Sequence, residues 1–418
     1  MNTGIRWRLS VMMFLQYMVW GAWYPVLSSY LLDNLKFSGL QVGVIFSLLP
    51  LACMIAPFAG GQLADRYVST EKLLAVLHLA GGVAMFVAAG MTSYQGLTVT
   101  MLIWSMLYAP TLALTNSITF HHLPDAEKKF GLVRVFGTLG WIAVGVLLTM
   151  LRLVGSETSG LFGLGGADSL WLGGVLSLAL GLFCLALPHT PPAKKGDSPW
   201  AFLAGFKLLR EPSFALFVLI SFVVATELMF YYVLTSPFLE FIGISKQNVP
   251  IVMTIAQVAE IGTMVALPWM ISRWGIRGVM TLGIVAWPIR YAIFAYGAPT
   301  WLVVAALTLH GLCYVCFFVV SFIYVNSVAP PDIRASAQAF ITFVTLGAGM
   351  YVGSLFAGRI RDYFTTIGPA GAPVVNYTNV FLVPCVLTII CAVVFFFGFK
   401  DKKRIGEGGY APAQPLPE

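Results

Sequence analysis

A glutamine and a glutamate stand three residues apart inside one apolar stretch, Thr254-Ile255-Ala256-Gln257-Val258-Ala259-Glu260. The surrounding run, 249–271, is long enough to cross a bilayer as a helix. At this spacing Gln257 and Glu260 are neighbours on one helical face. A carboxylate at mid-membrane is costly unless it faces a bundle interior or a wet cavity. The expectation is a cavity around this face, with a structural interhelical hydrogen bond as the plainer alternative. Arg134, Thr138 and Trp141 repeat the device at spacings of four and three. They are expected to line the same cavity, with Arg134 pairing a carboxylate; its place near a helix end would equally let it snorkel to headgroups. Gln16, Trp20 and Tyr24 form a third stripe at four-residue intervals, and Glu227 shares a face with Tyr231, beside Tyr232. Trp20 stands near mid-span, away from the interfaces where aromatic anchors gather, so it suits stacking on a flat solute.

Composition decides what must position these groups. The chain has 418 residues, 59% hydrophobic and 10% charged, against about 25% charged in an ordinary soluble domain. So much apolar surface has no place in one water-soluble core, and the chain is expected to be an integral membrane protein. The run 9–32 is expected to be a retained first helix, since no small-residue cleavage site follows a short apolar core. Six cysteines lie in or beside apolar runs; Cys313 and Cys316 form a CxxC with no second pair or histidine set, so neither metal nor disulfide framework is expected. His78 and His310 are isolated, and His121-His122 lacks metal-ligand companions, so no cofactor and no enzyme chemistry is implied. Arg290, inside a helix, must have a partner, and a structural ion pair is expected.

Twelve apolar segments can be counted, near 9–32, 40–64, 73–93, 97–120, 132–154, 169–188, 214–240, 249–271, 278–297, 300–325, 336–360 and 376–399. They are too long and continuous for barrel strands. With the N-terminus inside, only Lys36, Arg152, Lys246, Arg359 and Arg361 of the 24 Lys and Arg fall outside, and Arg290 falls within a helix. Both termini are therefore expected to be cytoplasmic. The same distribution accounts for the net charge of +7 without a nucleic-acid partner. A charged, proline-containing stretch, 189–212, divides six segments (1–188) from six (213–400), the layout of two bundles that rock against each other. The tail 401–418 is polar, rich in Pro and Gly, and expected to be disordered.

After the second segment comes Gly61-Gln62-Leu63-Ala64-Asp65-Arg66. It resembles the G-x-L-A-D-R loop of the major facilitator superfamily, which latches inner helix ends during alternating access; Gly61, Asp65 and Arg66 are the latch residues. The second-half equivalent, Ser272-Arg273-Trp274-Gly275-Ile276-Arg277, is degenerate. The expected fold class is thus an all-α integral membrane protein, twelve transmembrane helices in two six-helix bundles.

Further stretches resemble one branch of that superfamily, the bacterial nucleoside–proton symporters. These are Phe14-Leu15-Gln16-Tyr17 with Trp20-Gly21-Ala22-Trp23, the run Arg134 to Gly140, Ala256 to Glu260, Ala286 to Ala292 leading into Phe294-Ala295-Tyr296-Gly297, and Ile333 to Gln338. The resemblance implies proton-coupled uptake of nucleosides across a bacterial inner membrane by alternating access, with the solute between the bundles. It places Arg134, Thr138, Trp141, Gln257 and Glu260 at the site and matches Glu227 to an acid on the seventh helix. Three departures thin the polar contacts: Met229 and Tyr232 stand where the family has Gln and Asn, and Val315 where it has Asp. A proton-coupled importer of another small polar solute, such as a sugar, is the alternative. The expected binding set is Gln16, Trp20, Arg134, Thr138, Trp141, Tyr231, Tyr232, Gln257 and Glu260. Glu260, and after it Glu227, is expected to take the coupled proton. The partners expected are nucleoside, protons and lipid, for a monomeric chain.

Overall fold

In lipid, every main-chain N–H and C=O must be satisfied within its own segment, so the apolar runs become helices. The structure is a computed structural model and describes residues 3–66, 68–123, 126–154, 167–192, 201–369 and 371–400. The helices are α1 (Thr3–Gly21), α2 (Gly39–Arg66), α3 (Thr70–Ala89), α4 (Tyr94–His122), α5 (Ala126–Val154), α6 (Asp168–Cys184), α7 (Pro212–Phe241), α8 (249–274), α9 (276–296), α10 (Thr300–Val328), α11 (Arg334–Tyr363) and α12 (Tyr377–Gly398). Among the described residues eight helical stretches are long and apolar enough to cross a membrane, α8–α9 counting as one. Val76, Val83, Leu182, Val265 and Phe397 stand exposed on their outer surfaces, as side chains facing lipid do.

Several local features depart from the sequence reading. The loop expected at 272–277 is a sharp break at one residue, Gly275, with φ 65° and ψ 173°, backbone that a side chain resists. Helices α10 and α11 widen into π-type turns at Tyr314–Val319 and Phe343–Gly349. A small antiparallel hairpin, β1 (Thr365–Ile367) and β2 (Pro373–Val375), joins α11 to α12; no apolar run announces it.

Helix α1 packs on α5 and α6, α3 on α4 and α6, and α2 on α4. In the other half α7 packs on α11 and α12, and the α8–α9 stretch on α10 and α12. The halves meet through α2 with α11 and α5 with α8. On the face opposite the start of α1, here the far face, these contacts are close and polar. Asp362 of α11 accepts from the main-chain N–H of Gly39 at 2.6 Å and of Leu40 at 2.8 Å. Ser29 and Ser236 share a hydrogen bond of 2.6 Å, the N–H of Ile251 donates to the Thr149 hydroxyl at 3.0 Å, and Arg152 donates to the Lys246 carbonyl at 3.1 Å.

The connection between halves is tied at both ends. Glu71 of α3 accepts from Thr190 N–H at 3.0 Å and lies 2.7 Å from His189 Nδ1, and residues 201–210 form a 3₁₀ helix that packs on α11. Residues 193–200 and the tail 401–418 lie outside the described residues. Gly61, Asp65 and Arg66 fall in the last turns of α2, whose side chains likewise lie outside the description.

Candidate functional site

Close helix approach sets the geometry of the N-terminal wall. Gly140 of α5 lies against the main-chain carbonyl of Phe14 on α1, where a Cβ would clash. That contact brings Tyr17 under Arg134, whose guanidinium carbon stands 4.0 Å from the ring centroid. One turn along α1, Trp20 meets Trp141 of α5 edge to face, with centroids 5.5 Å apart. The C-terminal wall comes from α7, α8 and α10. Tyr232 lies 6.5 Å from Trp141 and 4.9 Å from Tyr24.

Between the walls is a cavity of about 420 Å³, including its open mouth, lined by Tyr17, Trp20, Arg134, Thr138, Trp141, Tyr232, Gln257, Glu260 and Tyr314. Arg134 and Glu260 line it from facing helices and interact electrostatically. The Trp20 indole N–H and the Gln257 amide oxygen have no hydrogen-bond partner among the described residues. A smaller void of about 240 Å³ lies beyond Trp141 and is lined by Gly145, Leu148, Pro250 and Met253 among others. Trp141 borders both spaces.

The nucleoside H⁺ symporter family model matches residues 1–404. The chain belongs to the nucleoside–proton symporter family. It is 34% identical over 409 residues to the putative nucleoside transporter YegT of Escherichia coli (strain K12), covering 94% of this chain and 93% of that one. It is 33% identical over 417 residues to the xanthosine permease of the same strain, covering 95% and 96%. Among solved structures it is similar to the crystal structure of the nucleoside transporter NupG: TM-score 0.83, 29% identity, 96% of this chain and 100% of that chain. The fold is that of the major facilitators, and the chain is a multi-pass membrane transporter, not an enzyme. Family membership decides between the two expected solute classes in favour of proton-coupled nucleoside uptake.

Seven of the expected binding residues converge on the cavity: Trp20, Arg134, Thr138, Trp141, Tyr232, Gln257 and Glu260. Two do not reach it. Gln16 is fully buried behind Trp20, where its Nε2 donates to Thr111 of α4 at 2.8 Å and its carbonyl accepts from Tyr108 at 2.7 Å. Its amide nitrogen and its main-chain carbonyl thus join α1 to α4. Tyr231 turns away from Tyr232 into the C-terminal half and stacks on His310, centroids 4.6 Å apart. Glu227 is also buried away from the cavity. Tyr17 and Tyr314 line the cavity without having been singled out. Tyr17 stood beside Gln16 in the first helix, and Tyr314 opens the π-type turn of α10, a device frequent at functional sites that no periodicity announces. Of the three departures, Met229 is taken up by packing, its sulfur 3.6 Å from the Tyr24 hydroxyl. Val315 is fully buried, and Tyr232 lines the cavity with its ring.

Proposed function

We propose that the nucleoside lies in the cavity between α1, α5, α7, α8 and α10, its base stacked among Trp20, Trp141, Tyr232 and Tyr314. The unpartnered Trp20 N–H and Gln257 carbonyl, with the Thr138 hydroxyl, serve the base edge and the ribose hydroxyls. The observation that carries this reading is the pairing of an aromatic cage with the polar residues Arg134, Thr138, Gln257 and Glu260 on one cavity. A flat, hydroxyl-bearing solute matches both.

Glu260 is the coupling carboxyl in this reading. It stands between apolar wall and Arg134, so the exchange of its proton follows which side the cavity opens to. One proton moving inward releases about 2.3 kcal/mol per 100 mV, and that drives accumulation. The close polar contacts at the far face support an outward-closed state. This reading takes the chain as a monomer in the inner membrane, both termini cytoplasmic, with halves 1–188 and 213–400, the 189–212 connection, a latch at Gly61, Asp65 and Arg66, and a cytoplasmic tail, 401–418.

The test is uptake of labelled uridine and adenosine into cells expressing the chain, with and without a protonophore, for wild type and Glu260→Gln. Protonophore-sensitive accumulation lost in Glu260→Gln is expected. Concentrative uptake by Glu260→Gln would remove Glu260 from the coupling step.

A further inference from the structure

Behind the cavity wall, in the C-terminal half, a buried cation and a buried carboxyl belong to residues that share one neighbour, Tyr291, without pairing. Arg290 of α9 is fully buried. The sequence predicts an ion pair for it, but among the described residues its guanidinium meets no carboxylate. Its Nη1 donates to Nδ1 of His310 on α10 at 3.0 Å, and its central carbon lies 4.5, 4.8 and 5.1 Å from the ring centroids of Trp287, Tyr231 and Tyr291. A guanidinium only donates, so His310 accepts through Nδ1 and is a neutral ring with its hydrogen on Nε2. Arg290 therefore holds its charge against neutral partners.

Glu227 of α7 is fully buried too, and among the described residues neither carboxyl oxygen has a hydrogen-bond partner. Tyr291 touches both residues, Glu227 through its main chain and Arg290 through its side chain. Its hydroxyl donates to the main-chain carbonyl of Glu227 and lies 3.5 Å from Arg290 Nη2. An ionised carboxylate without donors or water is far costlier to bury than the neutral acid. A guanidinium one tyrosine away would be drawn to it, since an ion pair in a low-dielectric interior outweighs one hydrogen bond to a neutral imidazole.

We propose that Glu227 and Arg290 form a proton-switched pair. In this conformation Glu227 carries its proton and Arg290 rests on His310 and the aromatic rings. When the Glu227 O–H bond breaks and the proton leaves to water in another conformation, Arg290 gives up His310 and pairs with the carboxylate. The guanidinium keeps its charge throughout, and the net charge of the cluster falls from +1 to zero. The cavity wall senses the exchange, because His310 stacks on Tyr231 at 4.6 Å and on Tyr314 at 5.7 Å, and stands edge-on to Tyr232 at 6.3 Å. Tyr232 and Tyr314 line the cavity. The titratable groups facing the cluster are Tyr231, Tyr291, His310, Cys313 of α10, Cys391 of α12 and, beyond Tyr231, Glu260. The pair deepens the transport reading and rests on it, but it is a second proton station, distinct from Glu260 in the open cavity.

The test uses the full chain in proteoliposomes with uridine as probe. Exchange of labelled for unlabelled uridine needs no net proton movement; accumulation under an imposed proton gradient does. Glu227→Gln and Arg290→Gln are each expected to lose accumulation by roughly tenfold or more, the ratio that 1.4 kcal/mol represents, while exchange persists. The double variant is expected to be no worse than either single one. Wild-type accumulation by Glu227→Gln overturns the proposal. A readout that needs no solute is the infrared C=O band of a protonated buried carboxyl. It is expected in wild type, absent from Glu227→Gln, and in Arg290→Gln persistent to higher pH; an unchanged band in Glu227→Gln overturns the proposal as well. If wild type neither binds nor exchanges uridine or adenosine, the nucleoside reading fails by itself, and the infrared result still decides the pair.

Discussion

Asp362 offers the sharpest single perturbation of the alternating-access cycle. Its two carboxylate oxygens accept from the N–H groups of Gly39 and Leu40, at 2.6 and 2.8 Å. Those groups belong to the exposed first turn of α2, which has no intrahelical acceptors for them. The carboxylate therefore acts as an N-cap supplied by the opposite half of the molecule, and a negative charge there also complements the helix dipole. The cap exists only while α2 and α11 touch. Gly39 and Gly358 face each other at the same contact, each leaving no room for a Cβ, so the fit that places the carboxylate is a close one. When the far face opens, water takes both roles.

Replacing a capping side chain by alanine costs about 0.5–2 kcal/mol. Here the cost falls on the closed state alone, because the open state never had the cap. A shift of 0.5–2 kcal/mol changes a two-state ratio by roughly 2–30-fold. Asp362→Ala is thus expected to raise the far-open population by that factor, and Asp362→Asn, which keeps one acceptor without the charge, by less. Spin labels at Thr92, exposed between α3 and α4, and at Tyr363, 76% exposed at the end of α11, report the separation of the two halves at this face. The expected result is a larger long-distance fraction in Asp362→Ala. An unchanged distribution would refute the reasoning, since it would mean that water replaces the carboxylate at no cost in the closed state.

Two further substitutions test the site walls. Gly140→Val presses a side chain into the Phe14 carbonyl; overpacking of this kind costs about 1–3 kcal/mol. It should lower the melting temperature and, by moving Tyr17 from under Arg134, weaken uridine binding, both measured on purified protein. Trp141→Ala removes a stacking face and joins the cavity to the void beyond it. Base–aromatic stacking is worth about 1–3 kcal/mol per base, so the Kd for uridine should rise roughly 5–150-fold, whereas Trp141→Phe should recover most of the affinity; equal affinities for all three proteins would place the base elsewhere.

What the sequence made legible is what helical periodicity encodes. Arg134, Thr138 and Trp141 share a face because of their spacing, as do Gln257 and Glu260, and both faces reach the cavity. Burial of ionisable groups is dear in a membrane, so their presence in apolar runs already pointed inward. Periodicity says nothing about which neighbour a face meets. Gln16 lies one turn from Trp20 and shares its stripe, yet a threonine 95 residues away on α4 claims its amide. Tyr231 and Tyr232 are adjacent, so they point to different sides, and only the packing of α7 against α9 and α10 decides which one reaches the cavity. Tyr314 is re-aimed by a π-type turn, and Gly275 compresses an expected loop into one residue.

The division of charge between the halves carries the reasoning one step further. The N-terminal half brings Arg134 to the cavity, whereas Glu260, Glu227 and Arg290 all belong to the C-terminal half. With its carboxyls neutral, the C-terminal wall carries an excess positive charge from Arg290, and it faces another cation in Arg134. Ionisation of Glu227 cancels that excess and removes the repulsion, whereas ionisation of Glu260, which lines the cavity, adds attraction to Arg134. Protonation thus changes the electrostatic force between the two halves without any contact being made or lost at the solute. In the proposed reading such a molecule couples proton to conformation through the interface electrostatics, and the nucleoside needs only to fill the aromatic cage for the two halves to close around it.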